Sequence, residues 1–383
     1  MTDVLKPSNE TELAEIPAGA QGPIEIIGTG SKRRLGRPVQ AAATLDMSGF
    51  SRIIAYEPEE LILDVGAGTR LSEVEELISS RGQQLAFEPP DWSALLGAPH
   101  SGTVGGLIAC NLSGPRRIKA GASRDHMLGV QGVTGAGDFF KAGARVVKNV
   151  TGYDLPKLLT GSYGTLAAIT SVILKVLPAP ETEETVVLTG LDDAQAVNAM
   201  SLAMQSPCEV SAAAYVPGEA VFLRLEGIAP SVAYRRDALA KLLKMPVEVL
   251  AAKSSAARWR AIRDGALFTD RPDHPLWRLS VAPSEAPQII RTLKEKTDLR
   301  YLFDWAGGLV WIEVPPSQDA ASSLIRSAFA QGHATLIRAA EAARASVDVF
   351  QPQAEALAAL SARVKDSFDP RHIFNPGRMY RGQ

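Results

Sequence analysis

The sequence predicts an α+β protein built as two domains, and three observations carry that expectation. With 383 residues, the chain is longer than one ordinary core accommodates. Proline and acid crowd into PAPETEE at 178–184, a composition shift of the kind that separates domains. Glycines recur between short apolar runs from Pro99 to Thr170, whereas strand-like and helix-like pieces alternate from 185 to 345.

In chain order, residues 1–20 read as a short helix or a frayed lead-in. Strands follow at 23–27, 43–46, 52–56 and 61–65. Leu71, Val74, Leu77 and Ile78 recur at helical spacing, and Gly82 stops that helix. Residues 84–87 resume a strand before EPPDWS breaks it. Paired strands fit 127–133 and 139–147 around the turn GAGD, a short helix fits 153–159, and a buried strand fits 166–177. Beyond the boundary, strands are expected at 186–188, 213–216, 221–225, 276–281, 300–304 and 309–314. Helices are expected at 192–204, 231–243, 284–294 and 318–330. An antiparallel sheet covered by helices is the simplest packing for this half. A last helix near 354–364 leads into FDPRHIFNPGRMY. The domains are therefore expected at 1–180 and 181–350, with 351–383 as a helix and tail.

Bulk chemistry excludes several functions. Hydrophobic residues make up 46% and charged ones 21%, as in a folded globular protein, and a net charge of −2 gives no basic field for nucleic acid. Two cysteines, Cys110 and Cys208, cannot supply a disulfide framework or a four-cysteine iron–sulfur cluster. Any such cluster must come from another chain. The N-terminus lacks a signal-peptide core, and the longest apolar run is interrupted by Lys175, so no direct membrane span and a cytoplasmic location are expected.

The motifs point to a bound anion. GTGSKR after a strand resembles a dinucleotide fingerprint, but Arg33 stands at the third glycine position and RRLGRP cannot start the required helix. What survives is a tight turn in which Gly28, Thr29, Gly30 and Ser31 offer donors to a phosphate and Lys32 adds charge. A basic surface turn is the alternative. In SGTVGG, Gly105 and Gly106 let a flat ring or a pyrophosphate lie against the main chain. Asn111, Ser113 and Gly114 follow within a few residues. Arg124 and Asp125 read equally well as a loop-closing ion pair or as ligand contacts. In KNVTGYDLPKLLTGSYGTL, residues Gly161, Ser162, Gly164 and Thr165 form a second small-residue turn. Asn149, Thr151 and Gly152 are small or polar enough to line a cofactor, and Ala168 and Ile169 could pack against adenine.

Together GTGSK, PHSGTVGGLIACNLSGPRR, SRDHMLGV, KNVTGYDLPKLLTGSYGTLAAIT, DWAGGLVWIEV and FDPRHIFNPGRMY resemble the FAD-linked oxidase family, with the vanillyl-alcohol-oxidase or PCMH type of FAD-binding domain. The resemblance spans residues 28–380. It implies two α/β subdomains holding FAD and an antiparallel α+β cap domain. It makes Gly28–Ser31 with Lys32 the first pyrophosphate loop. Ser101, Gly102, Thr103, Val104, Gly105 and Gly106 become the second. Asn111, Ser113, Gly114, Gly121 and Asp125 are then expected along the flavin and its ribityl chain. Gly161, Ser162, Gly164, Thr165 and Ile169 approach the adenine half, and Asn375 in NPGR returns to the flavin. Members that attach FAD covalently carry a histidine in the first glycine loop, and GTGSKRR has none, so non-covalent FAD is implied.

Within the family the likeness is to FAD-carrying subunits of glycolate-oxidising complexes. It implies oxidation of a small 2-hydroxy acid, a catalytic FAD subunit and an iron–sulfur subunit as partners, and attachment to the inner membrane, if any, through those partners. The five histidines, His100, His126, His274, His333 and His372, stand singly without metal-ligand spacing, so no metal site is expected. Arg278 and Arg338 are the candidates for gripping a substrate carboxylate. An interface or structural arginine is the competing reading for each. A stand-alone flavin oxidoreductase and a structural FAD-binding assembly subunit are the alternative functions.

Overall fold

A computed structural model describes residues 3–145 and 153–382. The chain divides into two compact units. The first comprises Met1–Ser113, Ala122–Pro178 and Pro352–Gln383, and the second Gly114–Gly121 and Ala179–Gln351. The sequence reading had grouped 114–121 with the first domain.

The first unit holds two sheets. A three-stranded parallel sheet runs Asp3–Leu5, Ala43–Asp46, Ile24–Ile27. Asn9 caps the helix Glu10–Gly19 by accepting from the Glu12 N–H at 3.0 Å. The strand Asp3–Leu5 is too short for periodicity to reveal. An apolar cluster of Leu13, Ile24, Leu45, Met47, Phe50, Ile373 and Phe374 joins this sheet to the C-terminal tail. The tail extends the sheet, since Ile24 N–H donates to Ile373 O at 2.7 Å and Asn375 N–H donates to Ile24 O at 3.0 Å.

The second sheet is antiparallel, ordered Ile53–Glu57, Ile62–Gly66, Ala167–Lys175, Met127–Thr134, Phe139–Gly143. Its central strand is buried at every residue but Lys175, which explains why AAITSVIL is apolar without alternation. Two expectations change here. Residues 83–84 make only a two-residue pairing with Leu177–Pro178, so 85–87 are not strand. SGTVGG does not stay a loop, because Val104–Ala109 is a short helix capped by Thr103. The expected strand end at 147, and Asn149, Thr151 and Gly152, lie outside the described residues.

In the second unit eight strands form one antiparallel sheet: Glu248–Leu250, Thr182–Leu188, Ala220–Gly227, Ala212–Val216, Arg300–Asp304, Leu309–Glu313, Leu276–Ser280, His333–Arg338. Helices Asp193–Gln205, Ala229–Leu243, Ala252–Arg263 and Ala286–Lys294 accompany it. The acidic part of PAPETEE is strand rather than linker, with Glu183 paired to Glu226 and Glu184 to Leu225. The strand Glu248–Leu250 and helix Ala252–Arg263 escaped the sequence reading. The strand is three residues long, and the helix is rich in Ala, Ser and Arg with few apolar positions to mark a face.

Candidate cofactor site

The first unit carries a cleft lined by the turn at 28–33, by Thr103, Gly105 and Gly106, and by Asn375 and Arg378. Its polar wall is the turn after strand Ile24–Ile27. Arg33 N–H donates to Gly30 O at 3.1 Å and Leu35 N–H to Lys32 O at 3.0 Å, so the segment folds back on itself. Gly30 takes φ +76°, which favours glycine. Among the described residues the N–H groups of Thr29, Gly30 and Ser31 have no protein acceptor. Lys32, half-buried at the same wall, donates from Nζ to Ser31 Oγ at 3.3 Å and to no other described residue. Burial pushes its pKa down, partly offset by Cys110 and Asp91. Arg33 and Arg378 complete the cationic lining. Unsatisfied amide donors beside a desolvated ammonium are costly unless an anion completes them. A diphosphate supplies the required oxygens and charge.

The second predicted loop plays a different part. The donors of its second half are already spent: Val104 N–H bonds Thr69 O at 3.0 Å, Gly105 N–H bonds Ala67 O at 2.8 Å, and Gly106 N–H bonds Thr103 Oγ1 at 3.3 Å. Thr103, Gly105 and Gly106 line the cleft, whereas Ser101, Gly102 and Val104 do not. Ser101 acts through its carbonyl, which accepts from Thr29 Oγ1 at 2.7 Å and ties the two loops. Gly102 and Gly105 are glycines for packing. A Cβ on Gly102 would sit 2.1 Å from Lys32 Nζ, and one on Gly105 would sit 2.9 Å from Ala67 O. At Gly106 the nearest atom is 3.5 Å away, so only there is the space left to a ligand.

The apolar end of the cleft is built from Ile26, Ile27, Met47, Ala67, Ala167 and Ile169. Tyr163 and Gly164 also line it, but Gly161, Ser162 and Thr165 face a different cleft, with Leu158, Leu357 and Leu360. The turn alternates between two cavities, and its sequence reads as one site because small residues occupy both faces. Asn375 lines the first cleft with its amide fully engaged: Oδ1 accepts from Ile26 N–H at 3.0 Å, and Nδ2 donates to Tyr163 O at 2.8 Å.

Asn111, Ser113 and Asp125 are absent from the cleft wall. Asn111 Oδ1 accepts from Ser123 Oγ at 2.9 Å, Ser113 Oγ from Ser123 N–H at 2.9 Å, and Asp125 Oδ2 from Ala122 N–H at 2.8 Å. Their polar atoms close the loop around Ser123. Sequence reasoning missed Arg378, Cys110, Tyr163, Met47 and Ile26 as lining residues; Arg378, Cys110 and Tyr163 stand inside the glycine-rich and NPGR motifs, whereas Met47 and Ile26 carried no motif signal.

Gly114 and Gly121 belong to the second unit. The Gly114 carbonyl accepts from the Trp305 indole N–H at 3.1 Å, and Gly121 takes φ +87° after the turn Arg117–Ala120. The Arg117 guanidinium lies 4.3 Å from the Trp305 ring centroid and that of Arg278 lies 4.8 Å from it. Arg338 is corrected from a substrate candidate to a structural residue. It is buried and donates to Phe268 O at 2.6 Å, His274 O at 3.0 Å, Arg271 O at 2.9 Å and Glu313 Oε2 at 3.0 Å. No cluster of three or more His, Cys, Asp or Glu that could hold a metal occurs among the described residues. No helix among them is long and apolar enough to cross a membrane.

Comparison with known proteins agrees with the cleft. A family model described as FAD binding domain matches residues 2–143. The chain is 34% identical over 362 residues to glycolate oxidase subunit GlcE of Escherichia coli K12, covering 94% of this chain and 93% of that one. It is 30% identical over 224 residues to glycolate oxidase subunit GlcD of Bacillus subtilis, covering 57% and 45%. The fold of a solved alkyldihydroxyacetonephosphate synthase superposes with a TM-score of 0.66 at 16% identity, covering 97% of this chain and 76% of that one.

The near full-length relative and the matching FAD-binding domain define a FAD-dependent oxidoreductase with a PCMH-type FAD-binding domain. The chain belongs to the FAD-linked oxidase family, in the group that contains glycolate oxidase subunit GlcE. The cleft fits the cofactor: the donors of Thr29–Ser31, which have no acceptor among the described residues, suit the pyrophosphate together with Lys32, and Ile26, Met47 and Ile169 suit an apolar ring.

Proposed function

We propose that this chain is the FAD-carrying accessory subunit of a complex that oxidises glycolate, or a close 2-hydroxy acid, to the 2-oxo acid. One observation carries the reading: the likeness to the Escherichia coli glycolate oxidase subunit runs along nearly the whole of both chains. Oxidising the hydroxyl to a carbonyl removes two electrons and two protons, and bound FAD supplies the two-electron acceptor. This chain's residues bind and orient the cofactor. Thr29, Gly30, Ser31 and Lys32 take the pyrophosphate, Gly106 leaves room beside it, and Ile169 packs the adenine end. Two cysteines cannot build an iron–sulfur relay, so electrons leave through partner subunits: a catalytic FAD subunit and an iron–sulfur subunit. Cytoplasmic placement, with any membrane attachment through those partners, completes the proposal. Arg278 is the remaining candidate for a substrate carboxylate.

The test is purification of the chain alone and with its co-expressed partners. The isolated chain should show a flavin spectrum that anaerobic glycolate does not bleach, and the assembled complex should reduce dye with glycolate. Bleaching of the lone chain would overturn the accessory role. Acid precipitation should release the flavin into solution. Flavin retained on the pellet would overturn non-covalent binding and point to Cys110, which lines the cleft.

A further inference from the structure

We propose that Arg378, near the end of the chain, is a positioning residue that holds the pyrophosphate loop in its binding conformation. The inference rests on the cofactor site described above. The guanidinium is 7% exposed and spans two parts of that loop's surroundings. Nη2 donates to Lys32 O at 3.0 Å and to Arg33 O at 3.1 Å, while Nη1 meets Glu25 Oε1 at 3.3 Å. The backbone reinforces the contact, since Arg37 N–H donates to Arg378 O at 2.8 Å. Gly36, at φ +77°, lets this approach happen: a Cβ there would lie 2.8 Å from Arg378 O.

These bonds hold the carbonyls at the end of the turn. The amide donors of Thr29, Gly30 and Ser31, at its start, lack protein acceptors among the described residues. With the carbonyls of Lys32 and Arg33 bound to Arg378, the peptide planes that end the turn are held, and the Gly30 O to Arg33 N–H bond carries that restraint back toward the donors. The loop is thereby kept ready for phosphate oxygens, and less ordering entropy is lost on binding. Arg378 also lines the cleft, adding a cation to that of Lys32. A lysine at 378 could not reproduce this, because one ammonium lacks the planar fork that reaches two carbonyls and a carboxylate together.

A structural role alone is separated from positioning by treating Glu25. Arg378→Met leaves Glu25, itself 7% exposed, with Arg33 as its ion-pair partner, so that variant loses stability as well. The double variant Glu25→Gln/Arg378→Met removes the buried carboxylate that Arg378→Met leaves with one partner instead of two. FAD affinity of the apo-chain is measured by quenching of flavin fluorescence, and thermal midpoints are measured without cofactor. Positioning predicts that the double variant recovers most of the midpoint but still binds FAD, and the diphosphate probe ADP, at least tenfold more weakly than the parent. Arg378→Lys should likewise bind FAD at least tenfold more weakly. Parent-like FAD affinity in the folded double variant, or in Arg378→Lys, overturns the proposal. Failure of the parent chain itself to bind FAD would overturn the site reading instead.

Discussion

The ammonium of Lys365 and the carboxylate of Asp369 lie 2.6 Å apart in the interior of the first unit, at 4% and 0% side-chain exposure. Lys365 Nζ also donates to Thr165 O at 2.6 Å and Phe374 O at 3.0 Å, and Asp369 accepts from the N–H groups of Ile373 and Phe374. The pair thus pins the turn at 161–165 to the tail that carries Asn375 and Arg378. Lys365→Ala or Asp369→Ala should each cost ~3–5 kcal/mol, because one buried charge is left alone. Urea denaturation checks this. The double variant Lys365→Met/Asp369→Leu should recover most of the loss, and equal instability of single and double variants would contradict the assignment.

Gly105 and Gly106 are adjacent but should respond oppositely. Gly105→Ala pushes a Cβ against Ala67, whose carbonyl also accepts the Gly105 N–H, so apo-stability should fall by ~1–3 kcal/mol. Gly106→Ala meets nothing closer than 3.5 Å within the protein. It should leave the apo-chain's thermal midpoint nearly unchanged while reducing FAD affinity. Circular dichroism melts paired with flavin titration distinguish the two.

Lys32 gives the site a pH signature. Its folded pKa is depressed by burial, so the charged form costs stability at neutral pH. That cost is relieved as pH rises through the folded pKa towards the ordinary lysine value. The apo-chain should therefore gain stability over that alkaline window, while FAD affinity falls as the ammonium is lost. Lys32→Met should abolish both trends, raise the apo-chain's midpoint at pH 7 and weaken FAD binding at least tenfold. An unchanged FAD affinity would remove Lys32 from the site.

Arg338→Met should act on stability and not on catalysis. It removes one of the two arginines bonded to Glu313, which keeps Arg300 at 2.7 Å, and leaves three carbonyls without that donor, for a loss of ~1–3 kcal/mol. Assayed below its melting temperature, the assembled complex should keep its KM for glycolate. A raised KM with an unchanged melting temperature would restore Arg338 as a substrate residue.

Local chemistry was enough to read the α+β class and the strand before GTGSK, and to propose a domain change near Pro178 and an anion-binding role for that turn. Each depends on neighbours within a few residues: periodicity, a proline–acid run, small residues with free donors. The C-terminal tail also announced itself, through NPGR.

Tertiary structure decided what those residues spend their hydrogen bonds on. Gly105 lines the cleft, yet its N–H and the space for a Cβ are taken by Ala67. Ser162 and Gly164 read as one site until the turn places them in separate clefts. Arg338 looks like a carboxylate clamp until carbonyls 64–70 residues away take its donors. Arg378 is reached from the phosphate loop only across 345 residues of chain. A glycine or an arginine states in sequence only what it can do. Which partner it meets is set by packing between distant segments, and that meeting separates a binding residue from one that holds the fold.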